Sequence, residues 1–172
     1  MSDTTPARYE EKVSSTGWLA VLVGAAALIG VGVPLGLFLG HRAAGAGGTL
    51  LLVIPPAIIV LLIVVLVSQF YALRIRVGAG MLVFGFGIFK KRFSVKSLRA
   101  FQPTTYRWQT YGGWGIRWGR DGSTAYNVMG DKGIAVRITV DLGTKTKDWL
   151  FSSRKPDEVC RALEAEFSAA GL

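Results

Sequence analysis

The residue types that most often carry catalysis are scarce in this chain and do not form groups. The single histidine, His41, lies among alanines and glycines, with no partner for acid–base chemistry or metal binding. The single cysteine, Cys160, can form neither an intrachain disulfide nor a cysteine cluster. The acidic residues after Arg74 are spread over predicted turns and one predicted helix, so no carboxylate pair is indicated. We therefore predict no catalytic site, no metal site and no bound cofactor.

A basic triplet has the composition of a binding surface. It consists of Lys90, Lys91 and Arg92, between Phe89 and Phe93. Each Lys or Arg held near an anionic membrane surface contributes about 1 kcal/mol of attraction. The triplet therefore predicts contact with anionic lipid headgroups, and a turn exposed to solvent is the alternative interpretation.

A segment rich in aromatic residues, 106–118, follows the triplet and carries interleaved arginines. Its candidate contact residues are Trp108, Trp114, Arg117 and Trp118. Trp, Tyr and Arg are frequent anchors of protein interfaces, and they also stack on single-stranded nucleic acid. Filling of the core is the favoured interpretation of the segment, because a small barrel needs large side chains. Contact with an unidentified protein partner or with a membrane interface is the alternative, and nucleic acid is the least favoured partner.

The positive charge is confined to the later part of the chain. The net charge is +9, and from Arg74 onward there are 17 Lys and Arg against 8 Asp and Glu. Such a balance indicates attraction to anionic headgroups before nucleic acid. The general excess of basic residues in cytoplasmic parts of membrane proteins explains the same balance.

Two long apolar runs without charged residues occupy 17–40 and 49–73. A helix of 24 residues is about 36 Å long, enough to cross a hydrocarbon layer of about 30 Å. The runs therefore predict a transmembrane hairpin, with a cleaved signal peptide as the alternative for the first run. Lys and Arg flank the runs on the sides away from 41–48, so both termini are predicted to be cytoplasmic.

The first apolar run carries glycines at four-residue spacing, at Gly32, Gly36 and Gly40. Small residues at this spacing let a second helix approach closely. They predict packing inside the hairpin or, alternatively, association between chains into a homo-oligomer.

After the second run the hydrophobic pattern changes to a period of two. Seven extended segments are predicted, the first two forming a hairpin over 71–89; Ile134, Val136, Ile138 and Val140 show the clearest alternation. A helix follows from Pro156, with Val159, Leu163 and Phe167 on one face. The predicted organisation is a cytoplasmic tail (1–15), a transmembrane hairpin (16–73) and a cytoplasmic domain (74–172).

The strand pair Leu73–Phe89, the stretch Tyr111-Gly-Gly-Trp-Gly-Ile-Arg117 and the stretch Ala125-Tyr-Asn-Val-Met-Gly130 resemble bacterial pleckstrin-homology-like membrane proteins. The resemblance covers about residues 16–168. It implies a membrane α + β fold: a two-helix hairpin, then a pleckstrin-homology-like antiparallel β-barrel capped by one C-terminal helix. It also implies a multi-pass location in the bacterial inner membrane. The function of this family is largely uncharacterised.

We therefore predict a non-enzymatic integral membrane protein that presents a binding or scaffolding module at the cytoplasmic face. A module that senses anionic lipid is the first alternative. An accessory subunit of a membrane enzyme or transport complex is the second.

Overall fold

The computed structural model describes residues 8–15 and 70–171 without a break, together with scattered positions between 17 and 40 and between 55 and 69. The chain divides into two compact units. One consists of Met1–Ser15 and Phe70–Leu172, and the other is Thr16–Gln69.

The predicted transmembrane hairpin is corrected by the structure. The described positions between 17 and 40 and between 55 and 68 are helical, and several of their large apolar side chains are exposed. Within these described parts, however, no helix is long and apolar enough to cross a membrane. The last residues of the second run belong to a strand that begins at Ala72. The first residues of that run, 49–54, and the predicted exterior loop 41–48 lie outside the described residues. The transmembrane spans, the membrane fold class and the multi-pass inner-membrane location are therefore wrong.

The first sheet, sheet A, has four antiparallel strands in the order β1-β2-β3-β4. They are β1 (Tyr9–Ser14), β2 (Ala72–Gly78), β3 (Met81–Phe86) and β4 (Phe89–Ser94). Ala79 and Gly80 join β2 to β3, both with positive φ, as a two-residue hairpin with the right twist requires.

The second sheet, sheet B, has five strands in the order β5-β8-β9-β7-β6. They are β5 (Leu98–Thr105), β6 (Gly115–Trp118), β7 (Thr124–Asn127), β8 (Ile134–Asp141) and β9 (Thr146–Ser152). The β7–β9 pair is parallel and the other pairs are antiparallel. The nine described strands thus form two sheets, whereas the sequence predicted a single closed antiparallel barrel of about seven strands.

The main core lies between the apolar faces of the two sheets. In β2 the residues Leu73, Ile75 and Val77 are buried and alternate with exposed arginines, so one face points inward. Phe84 of β3 stacks on Phe151 of β9 with ring centroids 4.4 Å apart. These contacts hold sheet A against sheet B.

The helix α1 (Pro156–Ala169) closes the chain where the sequence predicts it. Pro156 lies in its first turn, and Asp157 and Glu158 follow at the positive end of the helix dipole. Val159 and Leu163 are buried in the core between the sheets. Its predicted third contact residue, Phe167, is only partly buried and packs against Phe101.

Strand β1 is held in place by one carboxylate. Glu11 accepts hydrogen bonds from the Ser153 hydroxyl at 2.6 Å and from the backbone N–H of Arg154 at 2.8 Å. Both donors precede α1. The predicted N-terminal tail therefore contains an edge strand of sheet A, fixed to the start of the C-terminal helix.

Candidate binding site

The basic triplet forms part of an edge strand rather than a turn. In β4, Lys90 pairs with Gly85, Lys91 with Phe84 and Arg92 with Val83. Because paired residues share a face, Lys91 points inward with the buried ring of Phe84. Lys90 and Arg92 lie on the outer face of sheet A. The structure thus divides the triplet between the two faces of the sheet.

The outer face of sheet A carries a row of three cations. Lys12 of β1 pairs with Arg74 of β2, and Arg74 and Lys90 both pair with Gly85, which lies between them. Across two strand spacings the backbones of Arg74 and Lys90 are about 10 Å apart. All three cations are exposed. Gly85 has no side chain that could separate the two positive side chains beside it.

A second row of cations lies beside the first. Arg76 and Arg92 both pair with Val83 from opposite sides, and Glu10 pairs with Arg76. The Arg76 guanidinium is 3.3 Å from the Glu10 carboxylate. Glu10 is the one acidic residue at the outer-face positions of the four strands.

We call the outer-face residues Lys12, Arg74, Arg76, Lys90 and Arg92 the basic face. Apart from the Arg76–Glu10 pair, none of these cations forms an ion pair with another described residue. Cations that repel one another on one face destabilise a sheet unless an anion is bound. The basic face is therefore a candidate site for an anionic partner.

Apolar side chains are exposed at one end of the basic face. Ile88, in the turn between β3 and β4, is 78% exposed, and the neighbouring Phe89 is exposed as well. Tyr71, just before β2, is exposed at the same end. The start of β2 lies beside the end of β3, because Leu73 pairs with Phe86. The ring of Tyr71 lies 5.9 Å from the ammonium group of Lys12. The site thus combines a flat basic surface with an apolar margin.

The aromatic segment 106–118 has two roles. Tyr106 and Tyr111 cover the outer face of sheet B, where they pack with Ala125, Ala135 and Leu150 in a second small core. The prediction that the segment fills a core is therefore right for the tyrosines.

The tryptophans of this segment are more accessible than the tyrosines. Trp108 stacks on Trp114 with ring centroids 4.8 Å apart and is 44% exposed, while Trp118 is 75% exposed. Arg117, next to Trp118 in β6, is also exposed. Trp118 and Trp108 remain candidates for contact with a protein.

Two polar networks lie on sheet B, and sequence reasoning missed both. Asp131 accepts hydrogen bonds from the hydroxyls of Tyr106 and Ser152 and from the backbone N–H of Gly133. Burial, with the hydrogen bond to Asp131, raises the pKa of the Tyr106 hydroxyl. Because every polar atom here has an internal partner, the network fastens a loop to the sheet.

The second network joins two carboxylates through one guanidinium. Arg137 lies 2.6 Å from Asp148 and 3.2 Å from Asp121. The hydrogen bond from Ser123 lowers the pKa of Asp121. The carboxylates are thus neutralised by Arg137, in a network that sequence spacing does not reveal because its members come from two strands and a turn.

The described residues provide no evidence for a metal or nucleophilic site. No group of three or more His, Cys, Asp or Glu side chains in the described parts could hold a metal ion. His41 lies outside the described residues. Burial raises the pKa of the Cys160 thiol to about 11, so the nucleophilic thiolate is scarce near neutral pH.

The predicted helix-packing glycines are helical in the structure. A Cβ atom added at Gly32, Gly36 or Gly40 would meet no described atom within 4 Å. Close helix packing at these positions stays a prediction.

A scan against models of protein families, a search of curated proteins and a search of solved structures each gave no match for this chain. The resemblance to bacterial pleckstrin-homology-like proteins therefore stays a prediction.

Proposed function

We propose that this protein is a non-enzymatic binding module whose basic face holds anionic phospholipid headgroups. The single observation that carries the proposal is the pair of cation rows on the outer face of sheet A. Lys12, Arg74, Lys90 and Arg92 offer four positive charges without a described counter-ion.

The shape and margin of the basic face favour a lipid surface over other polyanions. A sheet face is broad and nearly flat, so it matches a layer of lipid headgroups. Single-stranded nucleic acid is matched less well, because it is bound in a groove with aromatic rings on which the bases stack. The exposed Ile88 and Tyr71 lie at one end of the face. Apolar and aromatic side chains beside cations are typical of proteins that bind at a membrane interface.

The test compares binding of the full chain to anionic vesicles and to neutral vesicles of the same size. The variant Arg74→Gln/Lys90→Gln/Arg92→Gln removes three cations from the basic face. At about 1 kcal/mol for each cation, its affinity for anionic vesicles should fall about a hundredfold. Wild-type binding should weaken as salt rises.

The matched control is Lys96→Gln/Lys145→Gln/Arg161→Gln, which removes three exposed cations elsewhere and gives the same net charge. It should bind nearly as the wild type does. Equal losses in both triple variants would show attraction by net charge alone, and tighter binding to a duplex oligonucleotide than to vesicles would make nucleic acid the partner. Lys91→Gln alone should leave vesicle binding unchanged, because Lys91 points inward.

A second candidate function is a scaffold for a protein partner, and the exposure of Trp118 and Trp108 favours it. Truncation of a tryptophan that anchors an interface weakens binding by at least about 2 kcal/mol. Cross-linking in cell extract should then capture a partner with wild type and with Lys145→Gln but not with Trp118→Ser. A partner captured equally by Trp118→Ser would exclude this surface.

A further inference from the structure

A second group of cations lies on the inner side of the sheets, around the ring of Trp149 in β9. The ammonium group of Lys147, from the same strand, is 4.9 Å from the ring centroid. The ammonium group of Lys91, from β4 of the other sheet, is 5.3 Å from it. Neither lysine forms an ion pair within the described part of the chain. Two positive charges thus converge on one indole.

Two buried donors, one of them on this same indole, are left without acceptors. The indole N–H of Trp149 and the hydroxyl of Thr124 have no hydrogen-bond partner among the described residues. Trp149 is 7% exposed and Thr124 is 3% exposed. An unpaired buried polar group costs about 1–3 kcal/mol, so most such groups in folded proteins have a partner.

Strand register brings the two donors to the same place. Thr124 of β7 pairs directly with Trp149 of β9, so both side chains leave sheet B on its inner face. Trp118 pairs with Thr124 at the edge of the same row and is largely exposed. The row that contains the unpaired donors therefore ends at an exposed residue on β6, the edge strand of sheet B.

The nearest acid in the sequence, Asp148, does not serve these groups. It alternates to the outer face of sheet B, where it accepts hydrogen bonds from Arg137 and Thr139. The inner face at this point thus carries two lysine ammonium groups and two donors without an acceptor among the described residues.

We propose that Thr124, Trp149, Lys91 and Lys147 form a binding site for a small oxyanion, either a carboxylate or a phosphate group. We call these four residues the Trp149 site. The indole N–H and the Thr124 hydroxyl donate to the oxyanion, and the two ammonium groups balance its charge. The lysine side chains are long and flexible, so they turn from the indole ring toward the anion as it enters.

The Trp149 site is separate from the basic face, which lies on the opposite side of sheet A. Its lysines have another explanation in the fold, because an inward-pointing charge on an edge strand such as β4 discourages pairing with other chains. That role explains Lys91. It explains neither Lys147, on an inner strand, nor the two donors without acceptors.

The experiment follows the indole N–H signals of the ¹⁵N-labelled full chain by NMR, with Trp149→Phe to assign the signal of Trp149. Sodium phosphate and sodium acetate are titrated separately, against sodium chloride at equal ionic strength. The Trp149 signal should move downfield and saturate with phosphate, with acetate or with both, and should not move with chloride. Saturation with one anion alone identifies the group that the site prefers.

The variants Lys91→Gln and Lys147→Gln should each weaken binding about tenfold, the loss expected for one charge-assisted hydrogen bond. Thr124→Val should also weaken it, and Lys145→Gln, on the neighbouring turn, should not. A Trp149 signal that responds to neither oxyanion, or equally in Lys91→Gln/Lys147→Gln, would overturn the proposal. The proposal would also be overturned if the indole N–H signal of Trp149 showed only magnetisation transfer from a bound water, because water would then be the missing hydrogen-bond partner.

Discussion

The side-chain carboxylate of Glu166 accepts a hydrogen bond from the backbone N–H of Gly80, with 2.7 Å between nitrogen and oxygen. Glu166 is on α1, and Gly80 is in the turn between β2 and β3. The other carboxylate oxygen lies 3.4 Å from the guanidinium of Arg8, which precedes β1. One nearly buried acid therefore joins the C-terminal helix to a hairpin turn and to the N-terminal strand.

Removal of this carboxylate should destabilise the fold. Glu166→Ala leaves the part-buried N–H of Gly80 without this acceptor, so we expect a loss of about 1–3 kcal/mol in the free energy of unfolding. Glu164→Ala, an exposed position on the same helix, is the control and should change stability by less than about 0.5 kcal/mol. Denaturant melts measure both, and equal losses would mean that the Glu166 contact contributes no stability.

Gly85 should tolerate no side chain. A Cβ atom there would lie 2.2 Å from the carbonyl oxygen of Phe89 and 2.5 Å from the Cα of Lys90, on the backbone of β4. The combination of positive φ and overpacking should cost about 2–5 kcal/mol in Gly85→Ala. Gly122→Ala, with positive φ but open space around it, should lose about 1–2 kcal/mol. Hydrogen exchange should show that Gly85→Ala lowers the protection of the backbone amides of β4 more than Gly122→Ala does. Unchanged protection there would contradict the tight β3–β4 contact.

The two phenylalanines Phe84 and Phe167 should differ in their contribution to stability. Phe84 is fully buried against Phe151 and other rings, so Phe84→Ala should cost about 3–5 kcal/mol. Phe167 is partly buried against Phe101, so Phe167→Ala should cost only about 1–2 kcal/mol. Thermal and denaturant melts provide both values. A larger loss for Phe167 would show that α1 contributes more of the core than its burial indicates.

Cys160 should react slowly with alkylating reagents. Burial, followed by the charges of Asp157 and Glu164, raises the pKa of its thiol from 9.0 to about 11. The unfolded chain therefore loses this proton at lower pH than the folded one, so the contribution of the thiol to stability falls as pH rises above 9. The labelling rate at pH 8 should lie well below that of a free cysteine and should rise steeply between pH 9 and 11. Labelling as fast as that of a small thiol at pH 8 would place Cys160 at the surface.

Sequence patterns located the strands in which alternation is regular and the partner is near in the chain. In β8 the apolar residues Ile134 to Val140 alternate cleanly, and the structure has a strand from Ile134 to Asp141. Strand β1 was missed because its alternation is weak, with glutamate and lysine among its residues, and because its partner begins at Ala72. Strand β4 was missed because three successive cations resemble a turn. The predicted strand through Phe89 instead turns at Gly87, which has a φ of 43°.

The candidate sites were predicted only in part. Cations at 90–92 were identified from composition, but their division between two faces depends on register with β3, which a sequence does not show. The rest of the basic face needs Lys12 and Arg74, brought together by the pairing of β1 with β2. The Trp149 site depends on which donors remain without acceptors, and that is a property of the packed structure. The apolar runs 17–40 and 49–73 predicted spans from hydropathy alone, whereas no helix among the described residues is long and apolar enough to cross a membrane.

The backbone N–H of Ser15 donates to the carbonyl oxygen of Tyr71 at 3.2 Å, so residues 16–70 leave sheet A and return to it at one point. Strand β1 is made first during synthesis, yet its partner β2 emerges only after this whole segment. The local hairpins β2–β3 and β3–β4 close short loops, and we expect them to form before β1 docks. For a flexible chain of this length, the entropy cost of that closure exceeds that of a two-residue turn by about 2–3 kcal/mol. The order of folding along this chain therefore runs against the order of synthesis at its first strand.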